Sequence, residues 1–381
     1  MKIESENAAL AYAAISREPT KGIPTCWMNI MEHEIIEKLA GTQEGSYKKN
    51  PRETYLQMQK NIGACMIDQY IPDNPLSMEA DGYHGAARGS TTGADRIYAD
   101  GMPIESPEDV AKHLETRTLP ALMYSIKNFD ESAAMKAVIE HETGIQSEIG
   151  PEILKCGYGH ISFPPFLYYL YGYEHYFAAY ALYPEIIDRV FTLQGDLTYL
   201  RNKAVVKAFV QADLPLYHRL DHDMADGKGV LVDVKSLERA WVPAFIKAIS
   251  PAVEADFTLL WHCDGNLMKL IPYLLEAGVN GFQGFQYEFG MDYPHICSLK
   301  AKNGKSMVIQ AGVSVTRELP MGTPDDVSRQ VNELVEYGPE TGLFLGMSSS
   351  CVPGTPYENI AAALEGMQYY KKHGRKRGSA R

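Results

Sequence analysis

Phe257-Thr258-Leu259-Leu260-Trp261-His262-Cys263-Asp264-Gly265-Asn266 is an apolar run that ends in ligand-capable side chains and then turns at Gly265-Asn266. It reads as a buried strand leading into a helix. Alternate side chains on a strand share a face, so His262 and Asp264 point one way and Cys263 the other. Four further apolar runs follow the same plan: Leu214–Leu220, Gly281–Phe285, Met307–Ala311 and Leu343–Met347. The helical segments that follow these five runs lie near Lys235–Ile249, Leu267–Ala277, Asp292–Lys302, Pro324–Tyr337 and Pro356–Tyr370. Two of them open on a strong start signal. Thr323-Pro324-Asp325-Asp326 and Thr355-Pro356-Tyr357-Glu358 each set Thr at the N-cap, Pro at the first helical position and an acid at the third.

Strand–helix units repeating every roughly 25 to 35 residues imply parallel strands joined by right-handed crossovers. The expected fold is a (β/α)8 TIM barrel with an N-terminal helical elaboration, one domain over 1–376 with 377–381 as tail. A doubly wound sheet is the alternative, but no GxGxxG follows a first strand. Working back from the barrel strands, Pro184–Ala208 and the Tyr-rich Phe166–Leu182 read as helices, the latter as core and interface packing. Gly157–Pro164 is a strand or loop, and Ser106-Pro107-Glu108-Asp109 starts a helix. Tyr70–Gly101, rich in Pro, Gly, Asp and Thr, is a long loop region with room for a hairpin. Arg52–Ile67, Met28–Leu39 and most of 1–20 read as helices, with a short strand or loop at Ile23–Trp27.

Bulk properties narrow the function. A hydrophobic share of 45%, a charged share of 22% and a net charge of −12 suit a soluble enzyme and argue against a nucleic-acid surface. No apolar run approaches the roughly 20 residues of a membrane span. The 6 Cys form no CxxC pair, so a cytoplasmic setting with reduced thiols is expected. The basic end of the chain, from Lys371 on, reads as disordered.

The active site of such a barrel lies at the C-terminal ends of its strands. Those ends carry His218-Arg219-Leu220-Asp221-His222-Asp223, then His262 and Asp264, then Gln283 and Gln286, then Gln310, and last Ser348-Ser349-Ser350-Cys351. If alternation continues along the last strand, Ser349 and Cys351 share a face. His262 and Asp264, joined by Cys351 or His222, would make a tetrahedral zinc site from N, O and S donors. The bland reading is a set of hydrogen-bonded polar residues at a barrel mouth. Glu32-His33-Glu34 and Glu140-His141-Glu142 read as solvated helical faces.

Several of these stretches resemble the uroporphyrinogen decarboxylase superfamily, which includes cobalamin-dependent methyltransferases. They are Asp223-Met224-Ala225-Asp226 through Val242-Pro243-Ala244-Phe245, His262-Cys263-Asp264-Gly265-Asn266, Leu275-Glu276-Ala277-Gly278-Val279, Gly312-Val313-Ser314, Met321-Gly322-Thr323-Pro324 and Thr355-Pro356-Tyr357-Glu358-Asn359-Ile360. With Gly172-Tyr173-Glu174-His175 and Pro184-Glu185 they span about 150 to 370 in consistent order. The decarboxylases carry an N-terminal Arg-x-x-x-Arg that meets the substrate's carboxylates. Thr25-Cys26-Trp27-Met28-Asn29-Ile30-Met31-Glu32-His33 has no Arg. The methyltransferase branch carries a zinc site of type His-x-Cys with a later Cys. Here His262 matches the His, Asp264 stands at the first Cys, and Ser349 is nearest the second, with Cys351 two residues on.

The resemblance therefore implies a corrinoid-dependent methyltransferase working on an oxygen- or nitrogen-bound methyl group, a methoxylated aromatic being one donor. His262, Asp264 and Asp223 are its expected catalytic residues; Trp27, Tyr83, His222, Gln286 and Ser349 its substrate-binding residues; His262, Asp264 and Cys351 its zinc ligands. Asp221-His222-Asp223 does not fit the corrinoid-binding Asp-x-His-x-x-Gly pattern, so the cobalamin would come on a separate corrinoid-binding protein. A decarboxylase, or a barrel that binds a corrinoid or tetrapyrrole without catalysis, is the alternative.

Overall fold

The computed structural model describes residues 3–73 and 96–375, together with the backbone of two short strands at Met78–Glu79 and Gly82–Tyr83. Its centre is a six-stranded, wholly parallel sheet. The strands are β3 (Gly157–Tyr158), β4 (Tyr217–Asp221), β5 (Thr258–His262), β6 (Gly281–Gln283), β7 (Val308–Val313) and β8 (Leu343–Met347). They lie side by side in chain order. That order has no reversal point, which a doubly wound sheet requires.

Short parallel pairings extend the sheet at both edges. β1 (Met66–Ile67) pairs with β2 (Leu154–Lys155), which precedes β3 by one residue. Thr25 bridges to Leu345 of β8, and Cys26 to Met66 of β1. Four main-chain bonds of 2.8–3.0 Å fix these edges: Cys26 N to Leu345 O, Leu345 N to Pro24 O, Cys65 N to Thr25 O and Leu154 N to Cys65 O.

β5, β7 and β8 are buried along their whole length, so they read as continuous apolar runs rather than alternating ones. The two faces of the sheet still differ. Tyr217, Leu260, Val308 and Phe344 pack with Ala8, Ala11, Ala14 and Ile15 of α1 (Glu6–Ile15). The intervening Leu259, Trp261, Ile309 and Leu345 join the larger core built with the helices. Beyond α1, Arg17 ties the strand starts together, donating to Thr258 Oγ1 at 3.1 Å, Ser306 O at 2.7 Å and Asn280 O at 3.2 Å. One end of the sheet is thus plugged, and the C-terminal ends stay accessible.

The helices after β4 match the expected units, with shifted ends. The helix over Pro324–Tyr337 forms a full capping box: Thr323 Oγ1 accepts from Asp326 N, and the Asp326 carboxylate accepts from Thr323 N. The second expected box does not form. Thr355 instead donates to Val352 O at 2.8 Å, and its helix starts at Tyr357. Pro184–Gln211 is one continuous helix, whereas the Tyr-rich stretch breaks at Gly172, where φ is 76°.

The N-terminal third departs further. The expected helix at 52–67 ends at Asn61; Gly63 turns the chain at φ 72°, and Ala64–Ile67 is buried, with Met66–Ile67 as strand. The expected helix at 28–39 starts only at His33, because Thr25 and Cys26 pair with β8 and β1 and Ile30 bridges to Cys351 beyond β8. Most of 70–101 lies outside the described residues, although a hairpin of Ile97–Ala99 and Met102–Ile104 closes it. The basic end is helical through His373, and the Arg375 guanidinium donates to Gly338 O at 2.9 Å and Pro339 O at 2.7 Å. Glu142 is not on a solvated face: it is buried in α2 (Glu131–Ile149), paired with the buried Lys155 of β2 at 2.8 Å. Among the described residues no helix is long and apolar enough to cross a membrane.

Gly312 in β7 shows how closely β7 and β8 meet. A Cβ there would overlap the Met347–Ser348 peptide. Gly312→Ala is therefore expected to destabilise the fold by about 3 kcal/mol, read as a lower urea midpoint at unchanged m-value.

Candidate functional site

β5 delivers His262 to the accessible end of the sheet, and the turn after it sets Asp264. Gly265 has φ 85°, and a Cβ there would meet Asp226 O at 2.6 Å. Gln286 accepts from Gly265 N–H at 2.7 Å, and Asp226 O from Asn266 N–H at 2.8 Å. This holds Asp264 beside the segment after β4, where its N–H donates to Asp223 Oδ1 at 3.1 Å. One ligand atom each from Asp223, His262 and Asp264 lies within 4.8 Å of the others. Gly284 leaves room for the imidazole, since a Cβ there would fall 2.6 Å from His262 Nδ1.

Two atoms of this group are buried with no hydrogen-bond partner: His262 Nδ1 and Asp264 Oδ1. Orphaned buried polar atoms are rare. Burial lifts the Asp264 carboxyl above the usual carboxylate range; His262 opposes the rise and Asp223 adds to it. Cys263 faces away and its Sγ accepts from Met224 N–H at 3.3 Å, as alternation requires.

Below this group runs a chain of charges. His262 Nε2 is 4.0 Å from Asp221 Oδ1; Asp221 Oδ2 accepts from Arg219 at 2.9 Å and from Tyr158 OH at 3.4 Å. Arg219 Nη1 is 3.9 Å from Asp68 Oδ1. Asp68 is fully buried and accepts from Trp27 Nε1 at 2.5 Å, Gln69 N at 2.6 Å, Tyr217 OH at 3.1 Å and Gln310 Nε2 at 3.4 Å. An adjoining small cleft of about 40 Å³ is lined by Trp27, Asn29, Arg219, Gln283, Gln310 and Ser349, among others. Asn29 Oδ1, Arg219 Nε and Gln283 Oε1 are buried there without partners.

The expected residues divide. Asp223, His262 and Asp264 come together, and Trp27 and Ser349 line the cleft. Gln286 shapes the Gly265 turn. His222 is occupied: its Nε2 accepts from Phe166 N–H at 2.9 Å and its ring stacks on Tyr168 at 5.7 Å, so it does not join the ligand group. Burial lowers its pKa to about 4. Cys351 does not join either. β8 ends at Met347, and Cys351 pairs its main chain with the 29–31 segment, its N–H donating to Asn29 O at 2.8 Å. Burial pushes its thiol up to about 11. The side chain of Tyr83 lies outside the described residues. Sequence reasoning missed Asp68, Tyr158 and the Arg219–Asp221 pair; an Asp directly after the apolar Ala64–Ile67 run was the available signal for the first.

A solved structure shares this architecture. A methyltransferase from Methanosarcina mazei aligns over 96% of this chain and 99% of its own, with a TM-score of 0.58 at 14% identity. The fold is common to both. A B12-independent methionine synthase from a Shewanella species aligns over 47% of this chain and 56% of its own (TM-score 0.33, 10% identity). A putative vitamin-B12 independent methionine synthase from Listeria monocytogenes aligns over 92% and 97% (TM-score 0.43, 12% identity). No family model and no curated protein matches the sequence.

The raised Asp264 pKa carries a sign. The folded state holds the proton more tightly than the unfolded one, so the destabilisation is absent below the usual carboxylate range and grows as pH rises through and above it. Asp264→Asn is expected to raise the melting temperature of metal-free protein at pH 7, with the gain vanishing near pH 3. A wild-type advantage at pH 7 would contradict it.

Proposed function

We propose that this chain is a methyltransferase, moving a methyl group between a small donor and the cobalt of a separate corrinoid protein. A methoxylated aromatic is the favoured donor class, making the reaction an O-demethylation. The observation that carries the reading is the Asp223–His262–Asp264 group, with two orphaned buried ligand atoms, at the strand ends. Its support is the methyltransferase that shares the fold over nearly the whole chain and the resemblance over 150–370. We further read the sheet as part of a closed (β/α)8 barrel. With β2 and β3 counted as one strand interrupted at Cys156, the pairings of 25–26 with both β8 and β1, and of β1 with β2, support a circuit of eight parallel strands.

One imidazole nitrogen and two carboxylates fit a divalent cation such as zinc, and the unpartnered Nδ1 and Oδ1 are the atoms a cation would occupy. Bound there, the ion would supply Lewis acidity to the heteroatom that carries the methyl group. The chain's own groups do the rest. Trp27 walls the cleft, Asp223 orients the Asp264 backbone, and Asp221 faces the His262 imidazole. With no thiolate in the group, the chemistry suits an oxygen or nitrogen leaving group better than a thiol. Porphyrinogen decarboxylation is disfavoured because Arg219, the cation lining the cleft, is already flanked by Asp68 and Asp221.

The test is methyl transfer from a panel of methoxyarenes and methylamines to cob(I)alamin under anaerobic conditions. Turnover is expected with at least one donor, and His262→Ala should cut kcat/KM by about 10²-fold or more. Corrinoid or tetrapyrrole binding without turnover would favour a non-catalytic barrel, and CO2 release from a porphyrinogen would revive the decarboxylase.

A further inference from the structure

A second cluster shares no residue with the lining of the cleft. His141 and Glu142 come from α2, and His160 from the loop after β3. His160 Nε2 is 3.1 Å from His141 Nδ1 and 3.1 Å from Glu142 Oε1, and His141 Nδ1 is 3.2 Å from Glu142 Oε1. Three ligand atoms thus form a nearly equilateral triangle. Protons cannot satisfy it. Each ring nitrogen has one in-plane orbital, holding either a hydrogen or a lone pair. If both nitrogens donate to the carboxylate, two N–H groups face each other across the third edge. If one accepts from the other, it faces the carboxylate with a lone pair.

A cation satisfies all three edges at once. Metal–ligand arms of about 2.0–2.1 Å at tetrahedral angles give edges of about 3.3–3.4 Å, close to those found. We infer that His141, Glu142 and His160 form a divalent-metal site, independent of the methyl-transfer reading. Two imidazoles and one carboxylate select a borderline ion, zinc foremost. Three protein ligands leave a fourth position for water, and the His141 side chain is 53% exposed, which gives the ion a route in.

Lys155 sharpens the site. Its ammonium lies 2.8 Å from Glu142 Oε2 and 3.1 Å from Oε1. It fixes the plane of the buried carboxylate, so Oε1 is held toward both histidines. The same positive charge weakens cation binding, so the site is expected to be moderate in affinity. A bound ion would clamp α2 to the β3 loop. That loop is also held by the buried His218, whose Nε2 accepts from His160 N–H at 3.0 Å and Ile161 N–H at 2.9 Å.

The experiment titrates Co2+ into metal-stripped, full-length protein carrying Asp264→Asn, which disables the other cluster, and follows the visible d–d absorption. About one Co2+ per chain should still bind. Adding His141→Ala should weaken that binding by roughly tenfold or more, since even outer-shell changes cost 10–100-fold. Zn2+ should raise the melting temperature of the Asp264→Asn protein and not that of the double variant. His141 is exposed enough for its loss to spare the fold; His141→Gln serves as the second variant, with the same loss expected. Unchanged Co2+ affinity in both His141 variants, or no binding in the Asp264→Asn protein, would overturn the site and leave a hydrogen-bonded cluster.

Discussion

A carboxylate with no exposure to solvent holds the centre of this molecule. Desolvating the Asp68 charge costs several kcal/mol unless donors replace the water. The donors come from widely separated parts of the chain: Trp27 from the N-terminal extended segment, Gln69 from its own turn, Tyr217 from β4 and Gln310 from β7. Satisfying one group therefore locks four stretches into register. Removing either side would leave buried partners unpaired, which is the expensive failure for a polar network. Arg219 extends the constraint outward. Burial works against its charge, and Asp68 and Asp221 more than offset it, so its pKa lies above the usual guanidinium value.

That chain of alternating charges ends at His262, and the site inherits its rigidity. The imidazole has Asp221 on one side and the space left by Gly284 on the other. Asp264 is placed by a turn that needs glycine at 265, and its carboxyl sits beside a like charge with one oxygen orphaned. Such an arrangement costs stability in the free protein. Sites that trade stability for ligand chemistry look like this.

How much of this was legible in the sequence follows from where the information is stored. The strands from 217 on are buried on both faces, so each stands out as an apolar run between polar turns, and the parallel order follows. His262 and Asp264 were legible by alternation. Asp68 was not, because Ala64–Ile67 continues the apolar spacing of the preceding helix; only pairing with Thr25 and Leu154 makes it a strand. Glu142 looked solvated because its partner Lys155 lies 13 residues on, in another element. Cys351 was placed with the ligands by carrying strand alternation past Met347, where β8 stops. The resemblance reads Asp264 where a thiolate would stand, and the side chains gathered at these strand ends offer one nitrogen and two carboxylates.

Asp223, His262 and Asp264 are proposed to form an ion-binding group at the strand ends. Anomalous diffraction at the zinc absorption edge, from crystals grown with Zn2+, tests it most directly. The account predicts a peak about 2.0–2.2 Å from a His262 ring nitrogen and from oxygens of both Asp223 and Asp264. No peak there, with a water or side chain hydrogen-bonded to His262 Nδ1 and Asp264 Oδ1 instead, would contradict it.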